Sequence, residues 1–462
     1  MTAEGWLALG EIVLCGFAIW RHRSAHRGIF PLLPGLLMAH LVLFGLPSAL
    51  FRDQFLGLDS NLGLLGAIVV PEAISPEALR KTALVIFAGM LALVAGYELP
   101  IAPTLMAPLP SLRVTWQRNP TAGALALMGL GLGAAIVERS SHPKIVEGIL
   151  DALSFVGLWS MGTLWMMNWR GRIRGPARLA MWAMTAASIG FEIIQGALWR
   201  PVLDAILLLA VYVRARGRLP RVALAMALPA FLTLAAAKIG FRALMPQEES
   251  RTASPSEKLD IYLQSLAAIY DDPANLDLGE TLLTRMSETW VLATVVERSP
   301  RFVPYWGGAT YASAGWSLVP RFLAPGKPEE TSGQQFPHRY GIIRAEDQQT
   351  STNFAMLIEM YANFGPAGVI VGMTLLGLAC RALELVLADS AINDASFSVA
   401  APLSVSLLLI EQPFHGAFGA FMQHAPFLLV TLALFGTCRF ALIPVDLAAA
   451  VADRTMNRQE AC

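Results

Sequence analysis

Apolar stretches of membrane-spanning length recur along this chain, and every second junction between them carries arginines almost free of acids. The stretches run 5–20, 30–51, 82–98, 121–137, 148–168, 178–194, 200–213, 222–240, 353–387, 396–409 and 425–442. The clusters are Arg21/Arg23/Arg27, Arg113/Arg118, Arg170/Arg172/Arg174/Arg178 and Arg214/Arg216/Arg218/Arg221. A helix needs about 20 apolar residues to cross the hydrocarbon core, and short-loop arginines mark the cytoplasmic ends. The pattern therefore predicts an all-α polytopic membrane protein with about eleven transmembrane helices. It places the N-terminus outside, the C-terminus in the cytoplasm, and the long segment 241–350 outside. At 55% hydrophobic and 15% charged, with mean hydropathy +0.53, the chain is far too apolar for a soluble enzyme of this length. A net charge of zero argues against nucleic-acid binding. Glu4 precedes the first apolar stretch and arginines follow it, the reverse of a secretory signal, so that stretch reads as an uncleaved span. The stretch 58–70 is short and Gly-rich and reads as interfacial or re-entrant.

Three regions follow: membrane helices over 1–240, an outer loop with amphipathic helices over 241–350, and membrane helices with a cytoplasmic tail over 351–462. Within the outer loop, residues 258–270 are helix-like. Leu282, Met286, Trp290 and Ala293 recur at helical spacing, which predicts an amphipathic helix over 278–298. Such a helix would lie on the membrane surface or pack over the spans. Beyond Pro300 come Phe302, Tyr305, Trp306, Tyr311 and Trp316, then a charged run with Arg321, Lys327, His338, Arg339 and Arg344. The run enters a hydrophobic helix through Glu359, Tyr361 and Asn363. Gly365-Pro366 interrupts that helix and predicts a break. Polar residues fused to a membrane span mark the candidate site. Four cysteines without a CxxC give neither a redox pair nor a zinc ribbon, and no HxH, HExxH or DxD appears, so no metal ligand set is expected.

The string VPRFLAPGKP, then PHRYG, then EMYANFGPAG before a Gly-rich span resembles the Wzy-type O-antigen and exopolysaccharide repeat-unit polymerases of the O-antigen polymerase–ligase superfamily. Arg285, and Pro300 before YWGGATY, fit the same pattern. The resemblance covers about residues 278–377. It implies a cofactor-free, metal-independent glycosyltransferase in a GT-C-like helical bundle with one large periplasmic lid loop. The enzyme would sit in the bacterial inner membrane, in contact with the bilayer. Its substrate would be an undecaprenyl-pyrophosphate-linked oligosaccharide, and a chain-length regulator and a flippase would be its candidate partner proteins.

Such a transfer needs a base for the acceptor hydroxyl, fixed cations for the leaving pyrophosphate, and aromatic or amide groups to hold sugar. Arg321, Arg339, Lys327 and Arg344, with Arg285 behind them, are the candidate cations. Attraction to anionic head groups would explain any one of them. His338 is the favoured base. Glu359 competes with it, or else pairs with a loop arginine and holds the lid shut. Tyr340, Tyr361 and Asn363 are the candidate sugar contacts, and an interfacial aromatic belt accounts for the other rings. Arg200, Glu192 and Asp204 read as a structural ion-pair set, and His40 as a satisfied core histidine. Three rival readings stand beside polymerisation. They are an O-antigen ligase, which shares the chemistry, a polyprenyl-phosphate-sugar transferase, and a transporter or flippase.

Overall fold

A computed structural model of the protein describes residues 2–25, 29–56, 74–106, 110–117, 120–138, 144–195, 199–245, 253–271, 287–317, 319, 324, 326, 332–347, 354–408, 410–435 and 437–444. Among these, nine helices are long and apolar enough to cross a bilayer. They are α1 (Ala3–Ala25), α2 (Leu32–Leu50), α3 (Pro76–Glu98), α4 (Pro120–Glu138), α5 (Lys144–Trp169), α6 (Pro176–Ile194), α8 (Arg221–Leu244), α12 (Met356–Val386) and α14 (Phe414–Leu434). Two of the eleven expected spans fall short. The helix α7 (Trp199–Arg216) carries Arg200, Asp204, Arg214 and Arg216 within its 18 residues. Its neighbour in the bundle, α13 (Asp394–Ser406), has only 13 residues. The last span is also displaced: α14 starts at Phe414, and the apolar run after it is not helical.

That run is a strand, β2 (Cys438–Ile443), paired antiparallel with β1 (Ser111–Trp116) so that Ser111 faces Ile443 and Trp116 faces Cys438. The chain is a helical membrane bundle as expected, and among the described residues this two-stranded sheet is a small addition to it. The signal was present in the sequence. In β1, Leu112, Val114 and Trp116 alternate with Arg113 and Thr115, a period of two that a helix cannot use.

The helices meet through small residues. Gly96 of α3 and Gly377 of α12 lie against each other's backbones, and a Cβ on either would stand 2.1–2.2 Å from a carbonyl oxygen. Gly131 of α4 and Gly157 of α5 make a second such crossing. Close backbone approach of this kind supplies helix contact where lipid removes any hydrophobic gain. The helix α13 is buried on every side from Ala395 to Val405, packed among α5, α7, α14 and β1. Its Ser396, Ser398 and Ser404 are inside, so its serine content marks an internal helix rather than a lipid-facing one.

Ion pairs sort the helix ends into two faces. Arg21 pairs with Glu98, Arg113 with Asp389, and Arg170 and Arg214 both with Asp394. At the other face Arg200 meets Glu138, Asp151 and Glu192. The helix α7, about 27 Å long at 1.5 Å per residue, joins the two faces, with Arg200 at one end and Arg214 at the other. His40 is buried, and its Nδ1 lies 2.8 Å from the Leu36 carbonyl, as a satisfied core histidine should.

The segment 241–350 is partly threaded into the bundle. α9 (Pro255–Asp271) packs on α8. The next helix, α10 (Thr289–Arg298), is buried from Thr289 to Val296 between α3 and α12. It is therefore not a surface helix but a plug, and its apolar residues cover all sides. The residues 278–286 that would open it, and the stretch 58–70, lie outside the described residues. The plug is tied in by a π-turn in α2, Leu41–Gly45. A wider turn releases backbone carbonyls. Leu43 O accepts from the Glu288 N–H at 2.9 Å, and Phe44 O from the Thr289 hydroxyl at 2.8 Å.

Candidate functional site

The break expected at Gly365-Pro366 is present. Gly365 has φ +64° and ψ −154°, a conformation open to glycine alone, and a Cβ there would stand 2.6 Å from the Tyr305 hydroxyl. The half of α12 before the break, from Met356 to Asn363, is buried throughout. Against it lies the loop that carries YWGGATY. Trp306 N–H donates to Ala362 O at 3.0 Å, and Gly307 N–H to Asn363 O at 3.2 Å. These carbonyls lack helical partners because Pro366 and the turned Gly365 end the ladder.

Glu359 and Asn363 share one face of α12 and together hold this loop. Glu359 is fully buried. Its Oε1 accepts from the Thr310 hydroxyl at 2.6 Å, and its Oε2 from the Phe414 N–H at 2.6 Å. Asn363 donates through Nδ2 to the Thr310 hydroxyl oxygen at 2.7 Å and accepts at Oδ1 from the Gly308 N–H at 2.9 Å. Glu359 thus holds the lid loop through the Thr310 hydroxyl, and each of its oxygens accepts a hydrogen bond. Tyr361, also buried, sets its ring edge-on to Tyr305 at 6.3 Å.

His338, Arg339 and Tyr340 come from the short helix α11 (Ser332–Arg339) and the residue after it. The Arg339 guanidinium stands 4.3 Å from the centre of the Trp306 ring, and its Nη2 donates to Pro304 O at 2.7 Å. Tyr340 is completely buried. Its hydroxyl shares a 3.0 Å hydrogen bond with Ser299, and its carbonyl accepts from Arg298 Nη1 at 2.9 Å. Burial pushes the Tyr340 phenol above its usual range. Phe336 stacks on Phe354 at 4.0 Å and fixes the helix to the entry of α12. Within this packing His338 Nε2 is shut off from solvent and has no hydrogen-bond partner among the described residues. Arg344 is exposed.

The structure thus brings His338, Arg339, Tyr340, Glu359, Tyr361 and Asn363 into one assembly around Trp306. Arg285, Arg321 and Lys327 lie outside the described residues. Thr310, Ser299, Arg298 and the Phe414 N–H are structural members that the sequence reading passed over. Their partners lie some 40–55 residues away, so no local spacing announces them.

A second polar group on the same face proves larger than expected. Arg200 holds Asp151 at 3.1 Å, Glu138 at 3.3 Å and Glu192 at 3.7 Å, and His424 Nε2 lies 2.8 Å from Asp151. Asp204 is buried on α7, one turn beyond Arg200. Five helices meet there, and the ring of His424 stacks on Phe155 at 4.6 Å. Every carboxylate that Arg200 reaches is already held, which suits a clasp between helix ends. No curated protein and no solved structure matches this chain. Over residues 195–390, the stretch that holds the lid loop and the broken helix, the chain is similar to a family described as a domain of unknown function (DUF8712).

Proposed function

We propose that the protein is a membrane glycosyltransferase that polymerises undecaprenyl-pyrophosphate-linked oligosaccharide repeat units at the periplasmic face of the bacterial inner membrane. The arginine face is then cytoplasmic and the lid face periplasmic. The observation that carries the reading is His338. Its buried Nε2 has no hydrogen-bond partner among the described residues, and it lies next to Arg339 in an aromatic setting before the broken membrane helix. In the transfer, His338 takes the proton of the acceptor hydroxyl as the oxygen attacks the anomeric carbon. The bond to pyrophosphate breaks, and Arg344 and the remaining donors of Arg339, with Arg285, Arg321 and Lys327, stabilise the departing charge. Glu359 positions the lid loop through the hydrogen bonds on its two oxygens. Tyr361 and Tyr305 offer ring faces to sugar C–H patches.

The test is polymer formation by purified protein from lipid-linked repeat units in EDTA. His338→Gln should abolish turnover and leave donor binding intact, because an amide bonds without taking the proton. Arg321→Lys should be nearly as damaging as Arg321→Ala, each slowing transfer on the order of 10²-fold. Near wild-type turnover in His338→Gln would remove the base from this scheme. Cells lacking the protein should accumulate single repeat units. Long polymer left on the carrier lipid would instead make the protein a ligase.

A further inference from the structure

Where the sheet meets the bundle, on the arginine face, there is a cleft of about 680 Å³. Its walls include Arg113 and Trp116 of β1, Thr121 at the start of α4, Arg172 in the α5–α6 turn, and Asp389 and Asn393 ahead of α13. The carboxylates here are already taken. Asp389 is buried and accepts from Arg113 Nε at 3.0 Å, Ser396 Oγ at 2.5 Å and Asn393 Nδ2 at 3.0 Å. Asp394 is held by Arg170 at 2.8 Å and Arg214 at 3.1 Å. Burial works against its charge, yet the two guanidiniums outweigh it and keep the carboxyl below its usual range.

The donors are in surplus. Arg172 stands over the Trp116 ring at 5.4 Å and pairs with no carboxylate among the described residues. Trp116 Nε1 is buried without an acceptor among the described residues. Arg113 uses Nε on Asp389 and keeps its forked pair of amino groups. Arg113 and Arg172 line the cleft while Arg170 and Arg214 hold Asp394, and the first turn of α4, whose N–H groups have no acceptor within the helix, opens onto it through Thr121. Planar guanidiniums, a ring N–H and a helix start suit a tetrahedral anion with several acceptor oxygens. The volume leaves room for whatever carries that anion.

We infer that this cleft binds a phosphate group, borne either by the head group of an anionic phospholipid or by a soluble phosphate compound. The inference is independent of the transfer chemistry at the other face. To test it, the purified full-length protein in neutral detergent is titrated calorimetrically with dihexanoyl phosphatidate, with inorganic pyrophosphate, and with zwitterionic dihexanoyl phosphatidylcholine. At least one of the two anions should bind where the zwitterion does not. Pyrophosphate binding assigns a soluble ligand, and phosphatidate binding alone assigns a lipid head group. Arg172→Gln removes an exposed cation and should weaken that binding roughly tenfold or more. Trp116→Phe keeps the ring, loses the N–H, and should weaken it several-fold. Arg218→Gln, on the same face but lining a different groove, should change nothing. Wild-type affinity in both Arg172→Gln and Trp116→Phe would overturn the site. An equal loss in Arg218→Gln would do the same, by showing attraction to the arginine face as a whole. So would binding of neither anion above the zwitterion.

Discussion

Glu288 sits at the junction between the π-turn of α2 and the plug helix α10, and its Oε2 is buried without a partner among the described residues. Burial pushes its carboxyl from 4.5 up to about 8, with the charge of Glu411 adding to the rise and the Ala355 N–H opposing it. The folded protein therefore keeps this proton across a range in which the unfolded chain has lost it. Stability must fall as pH climbs from about 4.5 to about 8 and level off above that. Glu288→Gln should flatten that slope, and parallel melting curves for the two proteins between pH 5 and 8 would refute the assignment. Thr310 makes a second single-residue case. Thr310→Val takes a donor from buried Glu359 and an acceptor from Asn363 and should cost about 1–3 kcal/mol. The measure is thermal unfolding in detergent, with Thr310→Ser near wild type.

Among the elements, the broken helix α12 was the most legible. A glycine followed by a proline inside an apolar run has one physical meaning, and Gly365 takes the conformation that meaning requires. Gly365→Ala should strain the backbone by on the order of 1–3 kcal/mol and drive Tyr305 off its seat, loosening the lid loop. Limited proteolysis should show faster cleavage in the lid, while Gly190→Ala, where a Cβ meets nothing, should leave the pattern unchanged. The plug α10 and the buried α13 were less legible. Hydropathy reports how apolar a segment is but not whether lipid or protein surrounds it, so the plug reads as a helix on the membrane surface or over the spans, and a buried half-span as a full one. The lid's aromatics were visible as a group. The Thr310–Glu359–Asn363 knot was not, because it joins residues that only the folded chain makes neighbours.

Across the whole molecule, the two faces built by the ion pairs follow the arginine alternation that the chain shows in its loops. Single cysteines at Ser254 and Ser332, in a cysteine-free background, should react with a membrane-impermeant thiol reagent in intact spheroplasts. A cysteine at Ser24, on the arginine face, should react only after lysis. The opposite pattern would turn the protein over in the membrane and move the candidate site to the cytoplasm. The small sheet bears on how such a chain is made. Its first strand leaves the ribosome ahead of α4, and its second follows α14, so β1 has no partner while most of the membrane helices are being inserted. Arg113 is held to Asp389, which is also synthesised late. Closing the sheet is thus a step reserved for the nearly finished chain. A protein cut short after α14 would keep all nine apolar helices yet leave an open strand edge at its arginine face, a molecule that inserts but stays unsealed.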